Sequence, residues 1–396
     1  MRRGAKRMPL LGIMVAELPG KVPFANAASL RALCLLGISA GIEVFVFSPN
    51  RIDWSREQVT GYTYQAGKEA WMKINYALPN LIYDRCFFAS KASYQDYSRH
   101  LRQLRGRSSI RFLGYGLPGK WEVMQILQRD PYFHPFLPET RLLTQLQEVL
   151  NWLELRSEVF LKPKGGSQGR GVLYIKKHQE LLDHFILSGR DRRNHLLQME
   201  FQNAQDLKFW LRTFIGQRIY LLQEYLSLHT ANGNAYDIRS LVQKNRHGYW
   251  ELTGMGVRCG QSGSITANLH GGGTAWEAAP FLKSEFSQEQ VEEQMNTLIE
   301  LSTKIPLALE SAHGRLAELG IDLGIDRNGR VWLLEVNSKP GRSLFTKLPN
   351  KAVQKSSKEN PILYAAFLLY AQKTNRMIAE ASSFRASAEI KQGQQV

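Results

Sequence analysis

Residues 320 to 337, GIDLGIDRNGRVWLLEVN, place the acids Asp322 and Glu335 and the amide Asn337 in a strand-forming pattern on either side of a central turn. Asn328-Gly329 is the preferred central pair of a two-residue type I′ hairpin. Such a turn predicts Asp322 directly across from Glu335, with Asn337 on the same face because side chains alternate along a strand. Ile321, Leu323, Ile325 and Trp332, Leu334, Val336 are then expected to point the other way, into a core. Carboxylates about 5 Å apart repel unless a cation neutralises them. A donor set of two or three oxygens, with room for water and phosphate, suits Mg²⁺, with Mn²⁺ as the alternative ion. A solvated acidic face is the competing reading of this stretch alone.

A second run, FLKPKGGSQGRGV over residues 160 to 172, reads as a strand ending in Lys162, a loop holding Gly165, Gly166, Ser167, Gln168 and Gly169, and a second strand. Glycines let backbone N–H groups approach a polyphosphate, and a lysine at the strand end supplies fixed positive charge. The loop is not a Walker A motif, which requires GxxxxGK[ST] opening a helix. Taken alone it is equally a flexible surface hairpin. Beside a metal hairpin it becomes a phosphate cradle.

A third pair of strands spans 237 to 244 and 249 to 258. A turn at His247-Gly248 sets Asp237 opposite Arg258, with Arg239 on the same side, and a single bulge would break that register. The two guanidiniums suit the oxygens of a transferring phosphoryl group or an acyl phosphate. An ion pair or a solvated surface is the plainer account.

These residues need elements to hold them. From Leu10 to about Phe112 strand, helix and strand alternate, which predicts a small parallel α/β domain; no glycine fingerprint follows Val15, which argues against a dinucleotide there. A helix from Lys120, a proline-rich turn and a helix over 142 to 155 follow. Strands separated by turn residues then predict antiparallel α+β structure. A long helical region from 288 to 319 breaks at Pro306, and a basic polar segment from 343 to 360 precedes a last helix opened by Pro361. The fold class is therefore α/β plus α+β.

The chain has 396 residues, 43% hydrophobic, with 51 Lys+Arg against 35 Asp+Glu. This composition excludes a disordered polymer and accommodates two or three domains. Fifteen of the excess charges sit in the windows 1–16, 99–111 and 339–358, which contain no acid. Cys34, Cys86 and Cys259 form no CxxC pair, so neither a disulfide framework nor a thiolate zinc site is supported, and a reducing compartment is expected. The apolar run after the basic start ends at Glu17 and reads as a first strand rather than a signal peptide. No uncharged apolar stretch is long enough to span a membrane.

The order of these motifs resembles the ATP-grasp superfamily, and in particular its YheC/YheD-like branch associated with endospore coats. The likeness is carried by KPKGGSQGRGV, LLQEYL, DIRSLVQKN, TGMGVR, TANLHGGG and GIDLGIDRNGRVWLLEVNSKPGR. It implies an ATP-grasp fold: a pre-grasp α/β domain over 1–116, an N-lobe with the glycine loop over 117–226, and a C-lobe with the metal hairpin over 227–345. A basic tail and helix over 346–396 follow. The resemblance implies that Lys120 and Lys162 bind nucleotide phosphates and that Gln223, Glu224, Tyr225 and Leu226 form the interlobe hinge. Asp237 falls near the ribose, though residues 227 to 236 lengthen its path from the hinge. Arg258, with Arg239 and Asn268 nearby, steadies the transferred phosphate, and Asp322, Glu335 and Asn337 match the magnesium ligands.

The implied activity is an ATP-dependent ligase using one or two Mg²⁺, joining a carboxylate to an amine or thiol through an acyl phosphate. Its substrates would be small molecules or peptides, of acidic character if the basic windows face them. Spore-coat proteins are implied partners, and the cytoplasm or the spore the implied location. The chief alternative is a non-catalytic, ATP-binding coat or assembly protein. Nucleic-acid binding through the arginines of 99–111 is the third reading, and no recognised nucleic-acid motif accompanies them.

Overall fold

Leu10 to Met14 and Leu81 to Asp84 are short apolar runs that are almost entirely buried, as strands inside a parallel sheet must be. The computed structural model describes residues 8–88, 90–166, 169–181, 183–260 and 273–392. Among these, the strands form three sheets, each built from strands consecutive in the chain.

The first sheet holds β1 (Leu10–Met14), β2 (Glu43–Asp53), β3 (Gln58–Gln65), β4 (Ala70–Ala77), β5 (Leu81–Asp84) and β6 (Arg111–Phe112) in the order β4-β3-β2-β1-β5-β6. β1 runs parallel to β2 and β5, and β5 to β6, with α1 (Ala27–Ser39) crossing from β1 to β2 and α2 (Lys91–Arg105) from β5 to β6. The parallel unit expected from the sequence is present, and β3 and β4 extend it as an antiparallel meander that was not predicted. Their residues mix polar and apolar types on half-exposed strands, which blurs the period-two signal.

α3 (Lys120–Leu127) leads into the second sheet. Its strands β7 (Thr140–Leu143), β8 (Glu158–Pro163), β9 (Leu173–Lys177), β10 (Phe185–Arg190), β11 (Leu196–Phe201) and β12 (Tyr220–Gln223) lie in the order β11-β10-β9-β8-β12-β7. α4 (Gln147–Arg156) and α5 (Ala204–Ile215) bury Val149, Leu153, Leu207 and Leu211 against one face. The helix expected from Leu142 starts only at Gln147, because Thr140–Leu143 pairs with β12 instead.

The third sheet holds β13 (Tyr236–Lys244), β14 (Trp250–Cys259), β15 (Thr274–Glu277), β16 (Glu318–Ile325) and β17 (Val331–Asn337) in the order β15-β14-β13-β16-β17. α6 (Ala278–Glu285) and α7 (Gln288–His313) pack on one side, through Leu282, Leu298, Leu301, Ile305 and Leu309. α7 runs straight through Pro306, against expectation, and ends at Gly314 with φ 96°. An interior proline costs about 3 kcal/mol; burying four α7 leucines and isoleucines outweighs it at about 1.5–3 kcal/mol each.

On the sheet's other side lie α8 (Ser343–Lys347) and α9 (Lys351–Gln392), where the sequence suggested a polar segment. Gly254 and Gly256 of β14 make room for them, since a Cβ there would lie 2.4 Å from Val353 and 2.8 Å from Leu348. α9 continues to the first domain, where Ile362, Tyr364, Ala365 and Leu369 join the core of β1, β2 and α1.

Pro361 therefore lies inside α9 rather than opening it. With no N–H of its own, it leaves the Ser357 carbonyl without its helical donor. Arg342 Nε, at 2.7 Å, and Gln243 Nε2, at 3.1 Å, donate to that carbonyl instead. The same two residues also donate to Glu318 of β16, at 2.6 and 2.9 Å, and Arg85, beyond β5, donates to its other oxygen at 2.8 Å. Tyr83 completes the set. Burial would raise the Glu318 carboxyl, but Arg342 and Arg85 hold it below the usual carboxylate range. This knot ties the first domain, the third sheet and α9 together. Replacing Glu318 with Leu strands two buried guanidiniums and is expected to cost about 3–5 kcal/mol; chemical unfolding followed by circular dichroism checks it, and an unchanged midpoint would show that the knot contributes nothing.

Candidate functional site

Asp322 and Glu335 face one another across β16 and β17, as the sequence predicted, but by a different construction. Asp326 N–H donates to the Arg330 carbonyl at 3.0 Å, and Gly329 adopts φ 84°, so three residues rather than two form the turn. Left alone, that would slip the register by one. A bulge on β17 leaves Leu334 unpaired and restores it between Asp322 and Leu323. Leu334 consequently lines the cleft instead of the core, and Leu333 takes the buried position.

The β13–β14 hairpin repeats this device. Asn245 N–H donates to Tyr249, Gly248 has φ 81°, and a bulge between Leu241 and Val242 returns Asp237 to its place opposite Arg258. In each turn one carboxylate or amide oxygen, from Asp326 or Asn245, accepts two backbone N–H groups.

Four strands thus bring an alternating array of charge to one face. Arg258 binds both oxygens of Asp237 and reaches Asp322 Oδ2 at 3.1 Å. Arg239 grips Asp322 with two nitrogens, and Lys120 at the start of α3 sits 2.7 Å from Glu335. On β16 the side facing this array reads Glu318, Gly320, Asp322, Gly324, while Leu319, Ile321, Leu323 and Ile325 face α7. A Cβ at Gly320 would lie 3.2 Å from Arg239 and 2.9 Å from Pro340, so glycine is what lets the guanidinium in. Burial pushes Asp237 up, against Arg258 and helped by the neighbouring Asp322 anion. Asp322 is likewise buried, but Arg239 and Arg258 outweigh burial and hold it low.

This array forms one wall of a cleft of about 550 Å³. The opposite wall comes from the second sheet: Phe160, Lys162, Gly165, Gly166, Gly169 and Arg170. Lys162 is pushed down to about 8 by burial and then by the Lys120 ammonium, with Glu335 opposing. The strip from Gln223 to Leu226 closes one end of the cleft. Glu224 is anchored there by the Glu139 backbone N–H at 2.8 Å, and Tyr225 stacks on Tyr174 with ring centroids 4.0 Å apart.

Residues 227 to 236, which lengthened the predicted path to Asp237, fold back on themselves. His229 bridges Ala235, and Tyr236 N–H donates to the Leu228 carbonyl at 3.0 Å, so Asp237 returns to the strip's side.

The structure therefore gathers Lys120, Lys162, Gly165, Gly166, Gly169, Gln223, Glu224, Tyr225, Leu226, Asp237, Arg239, Arg258, Asp322, Glu335 and Asn337 around one cavity. Ser167, Gln168 and Asn268 lie outside the described residues. Arg342, in the basic window 339–358, is paired with Glu318 rather than facing the cleft's charge array. Sequence reasoning missed Phe87, Arg170, His229, Leu334 and Tyr174; only the bulge turns Leu334 inward, and no local signal announces that bulge.

Asp322, Glu335 and Asn337 are hard oxygen donors on adjacent strands lining one cleft, which fits a hard divalent cation. Among the described residues no group of three or more His, Cys, Asp or Glu side chains forms a metal cage, and this set has only two such members. No described helix is long and apolar enough to cross a membrane.

A family model described as YheC/D like ATP-grasp matches residues 109–368. The endospore coat-associated protein YheC of Bacillus subtilis (strain 168) is 30% identical over 302 residues, 76% of this chain and 82% of that protein. Its counterpart YheD, from the same strain, is 26% identical over 363 residues, 91% and 79% of the two chains. Among solved structures, D-cycloserine synthetase DcsG shares the fold, with a TM-score of 0.53 at 12% identity over 91% of this chain and 99% of that one.

The depressed Lys162 makes a pH signature. Only its cation pairs with phosphate, so the contribution to polyphosphate binding is complete below about 8 and fades as pH rises through that value. Affinity for a fluorescent ATP analogue, titrated upward from neutral pH, is expected to weaken by at most about tenfold per pH unit above that point. Lys162→Met should bind more weakly and lose that part of the dependence; an equal slope in the variant would reassign it.

Proposed function

The chain belongs to the YheC/D-like ATP-grasp family, and from that premise we propose that it is an ATP-dependent ligase joining a carboxylate to an amine or thiol. The observation that carries this reading is the charge array itself: three carboxylates and two guanidiniums interleaved on four strands, facing a lysine and a glycine loop across one cleft.

Each part has a place in the chemistry. Lys120 and Lys162 would hold phosphate oxygens, and the backbone of the 165–171 loop would cover them. The strip Gln223–Leu226 would present its backbone to the adenine edge, with Asp237 on the ribose side. Asp322, Glu335 and Asn337 would hold Mg²⁺, or Mn²⁺ in its place, which when bound neutralises phosphate charge.

A substrate carboxylate oxygen would attack the γ-phosphorus as the bond to ADP breaks, ADP leaving with the electron pair. The amine or thiol would then attack the acyl carbon, phosphate would leave with its bonding electrons, and the nucleophile's proton would pass to solvent. Arg258, seconded by Arg239, would steady the oxyanion formed in between. No protein nucleophile is needed, since positioning and charge stabilisation supply the barrier lowering. The endospore coat association of YheC and YheD makes coat proteins candidate partners, and the cytoplasm or spore the candidate location.

Screening carboxylate and amine pools for ATP-to-ADP conversion with new product masses tests the reading. Glu335→Gln is expected to abolish the metal-dependent turnover while leaving the circular dichroism spectrum intact, and Arg258→Lys to lower it by about 10²–10³-fold. ATP binding without turnover across the pools would instead favour the non-catalytic assembly role.

A further inference from the structure

Several basic residues of the windows 99–111 and 339–358 are answered by acids or aromatic rings in the fold. Arg99 lies 3.5 Å from Asp96, Arg107 pairs with Glu57, Arg105 stacks over Phe112 and Tyr115, and Lys339 lies 2.8 Å from Asp84. A different cluster, scattered in sequence, has no acid partner among the described residues. The segments that carry Arg170 at the foot of the glycine loop, Arg192 and Arg193 in the β10–β11 turn, Arg212 in the last turn of α5 and Arg218 just beyond it are joined through two backbone carbonyls. Gly171 N–H donates to the Asp191 carbonyl at 3.2 Å, and the Phe214 carbonyl accepts from Arg192 at 3.4 Å and from Arg218 at 2.5 Å.

The one acid in the cluster is already occupied. Asp191 accepts the N–H groups of Arg193 and His195, each at 2.8 Å, and its other oxygen lies 3.1 Å from the His195 ring. Among the described residues none of the five arginines has a carboxylate partner. The carboxyl-terminal dipole of α5 offsets only about half a charge. Like charges gathered within about a Debye length raise one another's energy and lower that of an incoming anion.

We propose that this ridge is a docking surface for an acidic polypeptide. Arg170 belongs both to the ridge and to the cleft lining, so the two are continuous. A chain with several Glu or Asp residues would satisfy the guanidinium forks in pairs, the geometry for which arginine is suited, while one further carboxylate enters the cleft. The purpose of the docking rests on the ligase reading; the binding does not.

The test uses the full-length protein and four probes: a labelled Glu-rich peptide, its Gln-for-Glu counterpart, a mixed-sequence single-stranded oligonucleotide, and phosphatidylserine-containing vesicles. The Glu peptide is expected to bind in a salt-sensitive manner and the Gln peptide not. Arg193→Glu with Arg212→Glu, two exposed side chains, should weaken that binding by at least about tenfold and leave affinity for a fluorescent ATP analogue unchanged. Equal binding of the Gln peptide, an indifferent double variant, or stronger binding of oligonucleotide or vesicles overturns the proposal. A Glu peptide held by the ridge but never consumed with ATP would sustain the docking surface and count against the ligase. Ligation of a small acid by a protein whose ridge ignores the Glu peptide would do the reverse.

Discussion

Everything in the cleft depends on burying Asp322 without leaving its charge uncompensated. Two opposite charges about 4 Å apart gain about 4 kcal/mol at the effective dielectric of a protein, and an isolated buried carboxylate forfeits several. Asp322 therefore requires Arg239 and Arg258, and Arg258 in turn requires Asp237. That chain of demands sets the register of β13, β14 and β16 together, because a one-residue slip in any of them would turn a member of the array toward α7. The bulges and three-residue turns are the means by which the register is met, and the alternation of glycines with acids on β16 is how the guanidiniums gain entry.

The same strand carries the second constraint. Glu318 and Asp322 lie on one face of β16, one answered by Tyr83 and Arg85 of the first domain together with Gln243 and Arg342, the other by residues of the cleft. The segment after Asn337 runs between the two, with Lys339 held by Asp84 and Arg342 by Glu318. The metal-binding candidates are thereby referred to the first domain through short, buried contacts rather than through a flexible linker. Pro361 belongs to the same arrangement, since the carbonyl it frees is the one that Arg342 and Gln243 use.

The fold class and the pairing of Asp322 with Glu335 were legible because they rest on local rules: period-two alternation, a turn dipeptide and a strand-end lysine. The facing pairs came out right although the turns did not, because in both hairpins a turn one residue longer than expected and a bulge cancel. Alternation alone could not place Leu334, whose direction depends on that bulge. Pro306 and Pro361 misled for a physical reason: proline's local cost is certain, but whether a helix survives it depends on apolar burial and carbonyl partners supplied from far along the chain. β7 was hidden because four residues, none of them fully buried, pair with a strand about eighty positions away.

Charge behaves in the same way as proline. A run of basic residues in the sequence says how much positive charge is present, not how much remains once the chain has folded. The windows at 99–111 and 339–358 contain no acid, yet Asp96, Glu57, Asp84 and Glu318 reach them from elsewhere. The 191–195 turn does contain an acid, but Asp191 turns it to its own backbone and to His195, leaving the arginines around it without a carboxylate partner. Net electrostatic character is therefore a property of tertiary partnering, and the surface on which an anion would find guanidiniums without a carboxylate partner is the one the linear distribution of charge did not mark.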